Sequence, residues 1–188
     1  MFRKQTVAGK IRGTLFLVLL VASLLFSVSF YAVSMNIIQS YVLPQFDNNL
    51  NTSIQDIHKN TSASRILQIQ SGGSGAEGAA LTIGSDLAEQ AKSHNLDAAY
   101  VIALQDGKAS VVVANTNSKM KSGDAIEIEP AMVEASETKK SVISPVFSDS
   151  FGVHKAAFMP IAGSNMLMAV SMDAKFVQDK SLKSSGCV

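Results

Sequence analysis

The sequence predicts an α+β domain carried behind a single transmembrane helix. Three observations predict it: an uncharged apolar run near the N-terminus, an apolar stripe at helical spacing after it, and short apolar runs separated by turn residues from residue 97 onward. The chain has 188 residues, which suits one domain of ordinary size with an appendage.

The uncharged run comes first. No charged residue lies between Gly13 and Phe46, and residues 15–35 are apolar apart from Ser23, Ser27, Ser29 and Ser34. As a helix, about 21 residues reach about 31 Å, the thickness of a bilayer's hydrocarbon core. Isolated serines fit there because their hydroxyls bond back to the helix's own carbonyls. Arg3, Lys4, Lys10 and Arg12 precede the run, and the first charge after it is Asp47. The positive-inside bias therefore places residues 1–13 in the cytoplasm, residues 14–38 across the membrane and the rest outside. A cleaved signal peptide competes with this reading, and Ala32-Val33-Ser34 loosely fits its cleavage site. The run is longer than such a peptide's usual 7–15 apolar residues.

Residues 39–70 read as a long amphipathic helix. Phe46, Leu50, Ile54 and Ile57 form one stripe, polar residues fill the gaps, and Ile66, Leu67 and Ile69 resume it. The stripe buries against either the outer domain or the same helix of a second copy. Pro44 either starts this stretch or kinks it. Ser71-Gly72-Gly73-Ser74-Gly75 breaks it.

Residues 75–178 form the outer domain. A shorter helix is expected over 84–94, ended by Asn95. From Asp97 the period changes. Residues 98–104 read as a strand, Asp106-Gly107 as a hairpin turn, and 109–114 as the returning strand. A polar loop follows, then a helix over 130–140 with Pro130 at its first position. Residues 141–147, 154–161 and 166–172 complete an antiparallel sheet with helices on one side.

Composition narrows the chemistry. Past the first 12 residues, 12 basic groups face 15 acidic ones, so the outer part is mildly acidic and no basic face suits nucleic acid. The lone cysteine, Cys187, makes no internal disulfide. His58, His94 and His154 have no second ligand at metal spacing on their own elements, so no metal site is expected. There is no G-x-S-x-G and no phosphate loop, so an exported enzyme is disfavoured and no cofactor is implied.

The order of elements resembles the extracytoplasmic Cache domain, the PAS-like sensor of bacterial chemoreceptors and sensor kinases, in its single-module form. Three stretches carry the likeness: residues 100–113, the first hairpin around Asp-Gly; Ser144-Pro145-Val146-Phe147 with Asp149 and Gly152, the third strand and its turn; and 156–161 with 166–173, the closing hairpin. The anchor and ascending helix match as well. The resemblance implies a chemotaxis receptor that binds a small molecule outside the cell and moves a helix through the membrane, as a homodimer. It places a pocket between the sheet and residues 115–140, near Tyr100, Ser110, Phe147, Asp149, Lys155 and Phe158. Tyr100 would be a wall with a hydroxyl donor, Asp149 would hold an amine and Lys155 a carboxylate. Their plainer roles are core packing, turn formation and a solvated strand face. The aromatic-and-acid signature of amino-acid-binding members is not matched, and there is no tryptophan. Phe46, Leu50, Ile54 and Ile57 are the expected dimer seam. Such receptors carry a second transmembrane helix after the closing strand. Here the chain passes Lys180 and Lys183 into a tail, 179–188, so the expectation is a receptor shortened before that helix. The alternative is a membrane-anchored binding or scaffolding protein without signalling output.

Overall fold

The computed structural model describes residues 7–73 and 75–175; the tail 179–188, with Cys187, lies outside the described residues. The chain forms two compact units, Met1–Pro44 and Gln45–Val188.

In the first unit, α1 (Val7–Ile37) runs through the uncharged segment as one helix. Its most apolar window has a mean hydropathy of 2.5 and none of that window is buried. By length and composition it is a helix long and apolar enough to cross a membrane. Ser27 Oγ donates to the carbonyl of Ser23 at 2.9 Å, the back-bond that lets a serine sit in such a helix. The helix ends in a π turn, Ile38–Val42, with the Leu43 N–H bonded to the carbonyl of Ile38. Pro44 follows directly. Its ring clashes with the carbonyl four residues back and it has no N–H to donate, and a widened turn relieves the clash.

In the second unit the amphipathic stretch is two helices, α2 (Leu43–Asn60) and α3 (Ala63–Ser71), rather than one. Periodicity explains the break. Ile66 lies nine residues, or about two and a half turns, after Ile57, so a continuous helix would point it to the opposite side. Thr61 closes α2 by donating its hydroxyl to the carbonyl of Ile57 at 2.7 Å, and Ser62 is extended. The chain then restarts with Ile66 facing inward, 1% exposed. Gly72 caps α3 at a φ of 65°. The next helix, α4 (Ala76–Ser93), starts a full two turns before the expected 84. Ala76, Ala79, Ala80 and Leu81 are strong helix formers, enough to carry the two glycines within it. Gly84 also has a packing reason: a Cβ there would sit 3.1 Å from the carbonyl oxygen of Ala114. Asn95, at a φ of 55°, ends the helix as expected.

Seven strands form one antiparallel sheet: β1 (Ala98–Gln105), β2 (Lys108–Ala114), β3 (Ala125–Ile126), β4 (Val142–Ile143), β5 (Phe147–Asp149), β6 (Gly152–Pro160) and β7 (Met166–Asp173). The order is β3-β2-β1-β7-β6-β4, with β5 also on β6. Asp106 and Gly107 take φ of 52° and 71°, the mirror-image turn that matches strand twist. The expected strand 141–147 is split into β4 and β5. Pro145 has no N–H for the ladder, and Ser144 bridges the gap through its own N–H and hydroxyl to Ala156. One further helix, α5 (Pro130–Thr138), begins at Pro130.

The helices cover both faces, not one. On the first face α2, α3 and α4 pack Leu50, Ile54, Ile57, Ile66, Ile83 and Leu87 against Val101, Met168 and Val170. On the second face α5 packs Ala131, Met132 and Ala135 against Tyr100, Ile102, Phe158 and Leu167. This corrects the expected dimer seam. Leu50, Ile54 and Ile57 are 0% exposed within the chain's own core, because the sheet supplies the apolar partner that the stripe requires. Phe46 is partly buried. Any second copy must meet another surface.

Candidate functional site

The period of two along β6 sends His154, Ala156 and Phe158 to the α5 face, and Lys155 and Ala157 to the other. Tyr100 of β1 and Phe147 and Asp149 of β5 join the α5 face. The structure therefore brings together four of the six expected ligand residues: Tyr100, Phe147, Asp149 and Phe158. The other two are corrected. Ser110 stands opposite Ala103, one residue out of step with Tyr100 and Ile102, and is exposed on the helical face. Lys155 also points to that face, where its ammonium pairs with Asp47 of α2.

The α5-face group is centred on His154, which is 4% exposed. Its Nε2 lies 3.5 Å from Asp149 Oδ1 and its Nδ1 lies 3.6 Å from Asp97 Oδ2. Both contacts exceed good hydrogen-bond length, and neither ring nitrogen has a hydrogen-bond partner. The Ser171 hydroxyl, between Ala98 and Ala156 on the same face, is also buried without a partner. Buried polar atoms nearly always find partners, and these three have none among the described residues. The Phe147 ring is tilted at 53° to the imidazole with centroids 6.2 Å apart.

The electrostatics are acidic. Burial pushes the Tyr100 phenol well up, and Asp149 and Asp97 push it the same way, so it remains a neutral donor. Burial likewise raises the Glu129 carboxyl above the usual carboxylate range, with repulsion from Asp149 and then Glu127 adding to it. Two carboxylates, Asp149 and Asp97, thus converge on one imidazole and one phenol, and Glu129 feels the first of them. A cavity of about 90 Å³ opens on the Asp97 side of His154, lined by Asp97, His154, Phe151 and Lys119 among others; Asp149, Glu129 and Tyr100 are not part of its wall.

A carboxyl raised above its unfolded value weakens the fold once ionised. The penalty is absent where both states are protonated and grows as pH rises from about 4.3 through the higher folded value. Glu129→Gln is therefore expected to raise the melting temperature at pH 7 and leave it unchanged at pH 3, as thermal melts at the two pH values will read. The turn before His154 is equally constrained. Gly152 has a φ of 143°, and a Cβ there would lie 3.2 Å from His154 Nε2. Gly152→Ala is expected to cost about 1–3 kcal/mol in a denaturant melt.

Sequence reasoning weighed His154 only as a metal ligand and missed Asp97, Glu129 and Ser171. The alternation from Phe158 back to His154 was the available signal for the first. The other three become neighbours only through strand pairing. Among the described residues, no group of three or more His, Cys, Asp or Glu is arranged to hold a metal ion.

An antiparallel sheet with a helical layer on one face and a short helix over a polar cluster on the other is a fold the chain shares with solved sensory domains of chemoreceptors. Among solved structures, the chain is similar to the ligand-binding domain of the Campylobacter jejuni chemoreceptor Tlp3. In the complex with L-norvaline the TM-score is 0.53 at 17% identity, over 82% of this chain and 64% of that one. In the complex with 4-methylisoleucine the TM-score is 0.51 at 14% identity, over 80% of this chain and 58% of that one. The chain thus spans less than two thirds of that domain. No family model matches it, and no curated protein matches it by sequence.

Proposed function

We propose that this chain is the ligand-sensing part of a membrane-anchored chemotaxis receptor. In this reading α1 crosses the membrane, the N-terminus is cytoplasmic, and the sheet domain stands outside. The observation that carries it is the acidic cluster under α5, where His154 and Ser171 are buried without hydrogen-bond partners. A small amine suits it best, since about 90 Å³ is well below the roughly 300–1,000 Å³ of larger ligand sites. An ammonium there offers donors to Asp97 and His154, with Lys119 on the wall, and Asp149 meets the site through His154 Nε2 at 3.5 Å. The Tlp3 complexes contain L-norvaline and 4-methylisoleucine, ligands of that chemistry. Binding transmits signal by moving α2, provided the ligand prefers one arrangement of helix and sheet.

The test is a thermal-shift screen of the full chain in detergent with small amines, amino acids and dicarboxylates. A ligand at 100 times its dissociation constant adds about 2.7 kcal/mol. Stabilisation by amine-bearing compounds supports the reading; stabilisation by dicarboxylates alone refutes it.

A further inference from the structure

We infer that the Lys155–Asp47 ion pair is the link through which α2 reads the state of the acidic cluster on the far side of the sheet. The inference rests on the ligand-sensing reading and names its coupling element. It starts from one peptide of β6. His154 faces the cluster and Lys155, the next residue, faces the helices. Lys155 is 8% exposed, unusual for a lysine, and its countercharge is Asp47 in the first two turns of α2. A second tether reaches the same place. Lys155 stands opposite Met172 in β7, and Asn49 Nδ2 donates to Met172 Sδ at 3.7 Å. Asp47 and Asn49 therefore hold the start of α2 on one cross-strand pair. The rest of its buried face is Leu50, Ile54 and Ile57, which give little directional preference, and Ser53, whose hydroxyl donates to Asn49 Oδ1 in the same helix. Directional polar contacts are what set register between such surfaces.

At the other end stands Asp149. Its Oδ1 accepts the N–H of Phe151 at 2.8 Å and of Gly152 at 3.1 Å, so this carboxylate holds the turn that starts β6. A cation engaging Asp149 competes for the same oxygen and changes that hold. The strand carries the change to His154 and, through one peptide, to Lys155 and Asp47. Neither a long-range field nor movement of the whole sheet is required.

The test replaces the ligand with a substitution. Asp149→Ala, which removes the oxygen that holds the turn, is made in the native chain and in a chain carrying Asp47→Asn with Lys155→Met. Hydrogen exchange of the backbone amides of residues 47–54 is read in the full chain in detergent, relative to residues 83–91, which pack in the same core. With the pair intact, Asp149→Ala is expected to change that ratio about fivefold or more, the lower end of usual coupling factors. With the pair removed, the change is expected to fall below about twofold. An equal change in both backgrounds, or none with the pair intact, overturns the inference. If the double variant does not fold, Asp47→Asn alone serves, since it removes the charge of the pair while keeping an oxygen at the buried Oδ1 position. No ligand enters the measurement, so its failure is distinct from failure of the sensing reading.

Discussion

Ile54→Asp is expected to unfold the second unit rather than to separate a dimer. Ile54 is 0% exposed and packs among Leu50, Ile57, Ile83, Leu87 and the inward residues of β1 and β7. Removing its side chain alone, as in Ile54→Ala, costs about 2–5 kcal/mol, since a packed core collapses only partly around the gap. A carboxylate adds the penalty of an unpaired charge in an apolar layer, or of the proton uptake that avoids it. The sum is comparable to the whole stability of a typical domain, about 5–15 kcal/mol. Circular dichroism melts of Ile54→Val, Ile54→Ala and Ile54→Asp provide the measurement. The expected order is a loss of about 0.5–1.5 kcal/mol, then about 2–5, then no cooperative transition. A cooperative melt for Ile54→Asp at the native temperature, with only self-association lost, would return the stripe to an interface between copies.

Much of this arrangement was legible because the strongest local rules agreed with the fold. The uncharged run, the Asp106-Gly107 turn, Pro130 at a helix start and Asn95 at a helix end each have one favourable conformation, and each adopts it. The stripe Leu50-Ile54-Ile57 correctly showed a helix with one buried face. What buried it was not legible, because a second copy and the chain's own sheet offer the same apolar surface. The break at Thr61 could have been read from the phase of Ile66, which a continuous helix carries to the wrong side.

The site was half legible for a similar reason. Alternation fixes which residues of one strand share a face, but not which face belongs to which layer. Tyr100, Phe147, Asp149 and Phe158 fell on the α5 side, while Ser110 and Lys155 fell on the other. The irregularity between Val101 and Ile102, where β2 slips by one residue, shows how a single bulge changes parity between paired strands. Lys155 was expected to hold a ligand's carboxylate or to lie on a solvated face, and it is instead buried against a carboxylate of the chain itself. Its partner is 108 positions earlier in the chain, in Asp47, a distance no local pattern spans. Asp97 reaches His154, and Glu129 feels Asp149, by the same kind of long-range convergence.

Asp149→Asn is expected to remove most of the affinity for an amine while leaving the domain folded. Two functions of the carboxylate are separable here. As a turn former, Oδ1 accepts two backbone N–H groups, and an asparagine side-chain oxygen accepts the same pair. As a counter-ion, it supplies charge that an amide lacks. A hydrogen bond to a charged group contributes about 1.5–3 kcal/mol, which is roughly a 10- to 150-fold change in dissociation constant. The amine-bearing hit from the thermal-shift screen, titrated calorimetrically against the native chain and Asp149→Asn, reads this directly. Melting temperature should move little, because the turn survives and one carboxylate is removed from a group that repels itself through Glu129. Asp149→Ala separates the two functions, since it loses the turn as well and should lower both affinity and stability. Equal affinity in the native chain and Asp149→Asn would leave Asp149 as a turn residue alone, and the ammonium would then have to be sought at Asp97 and Glu129.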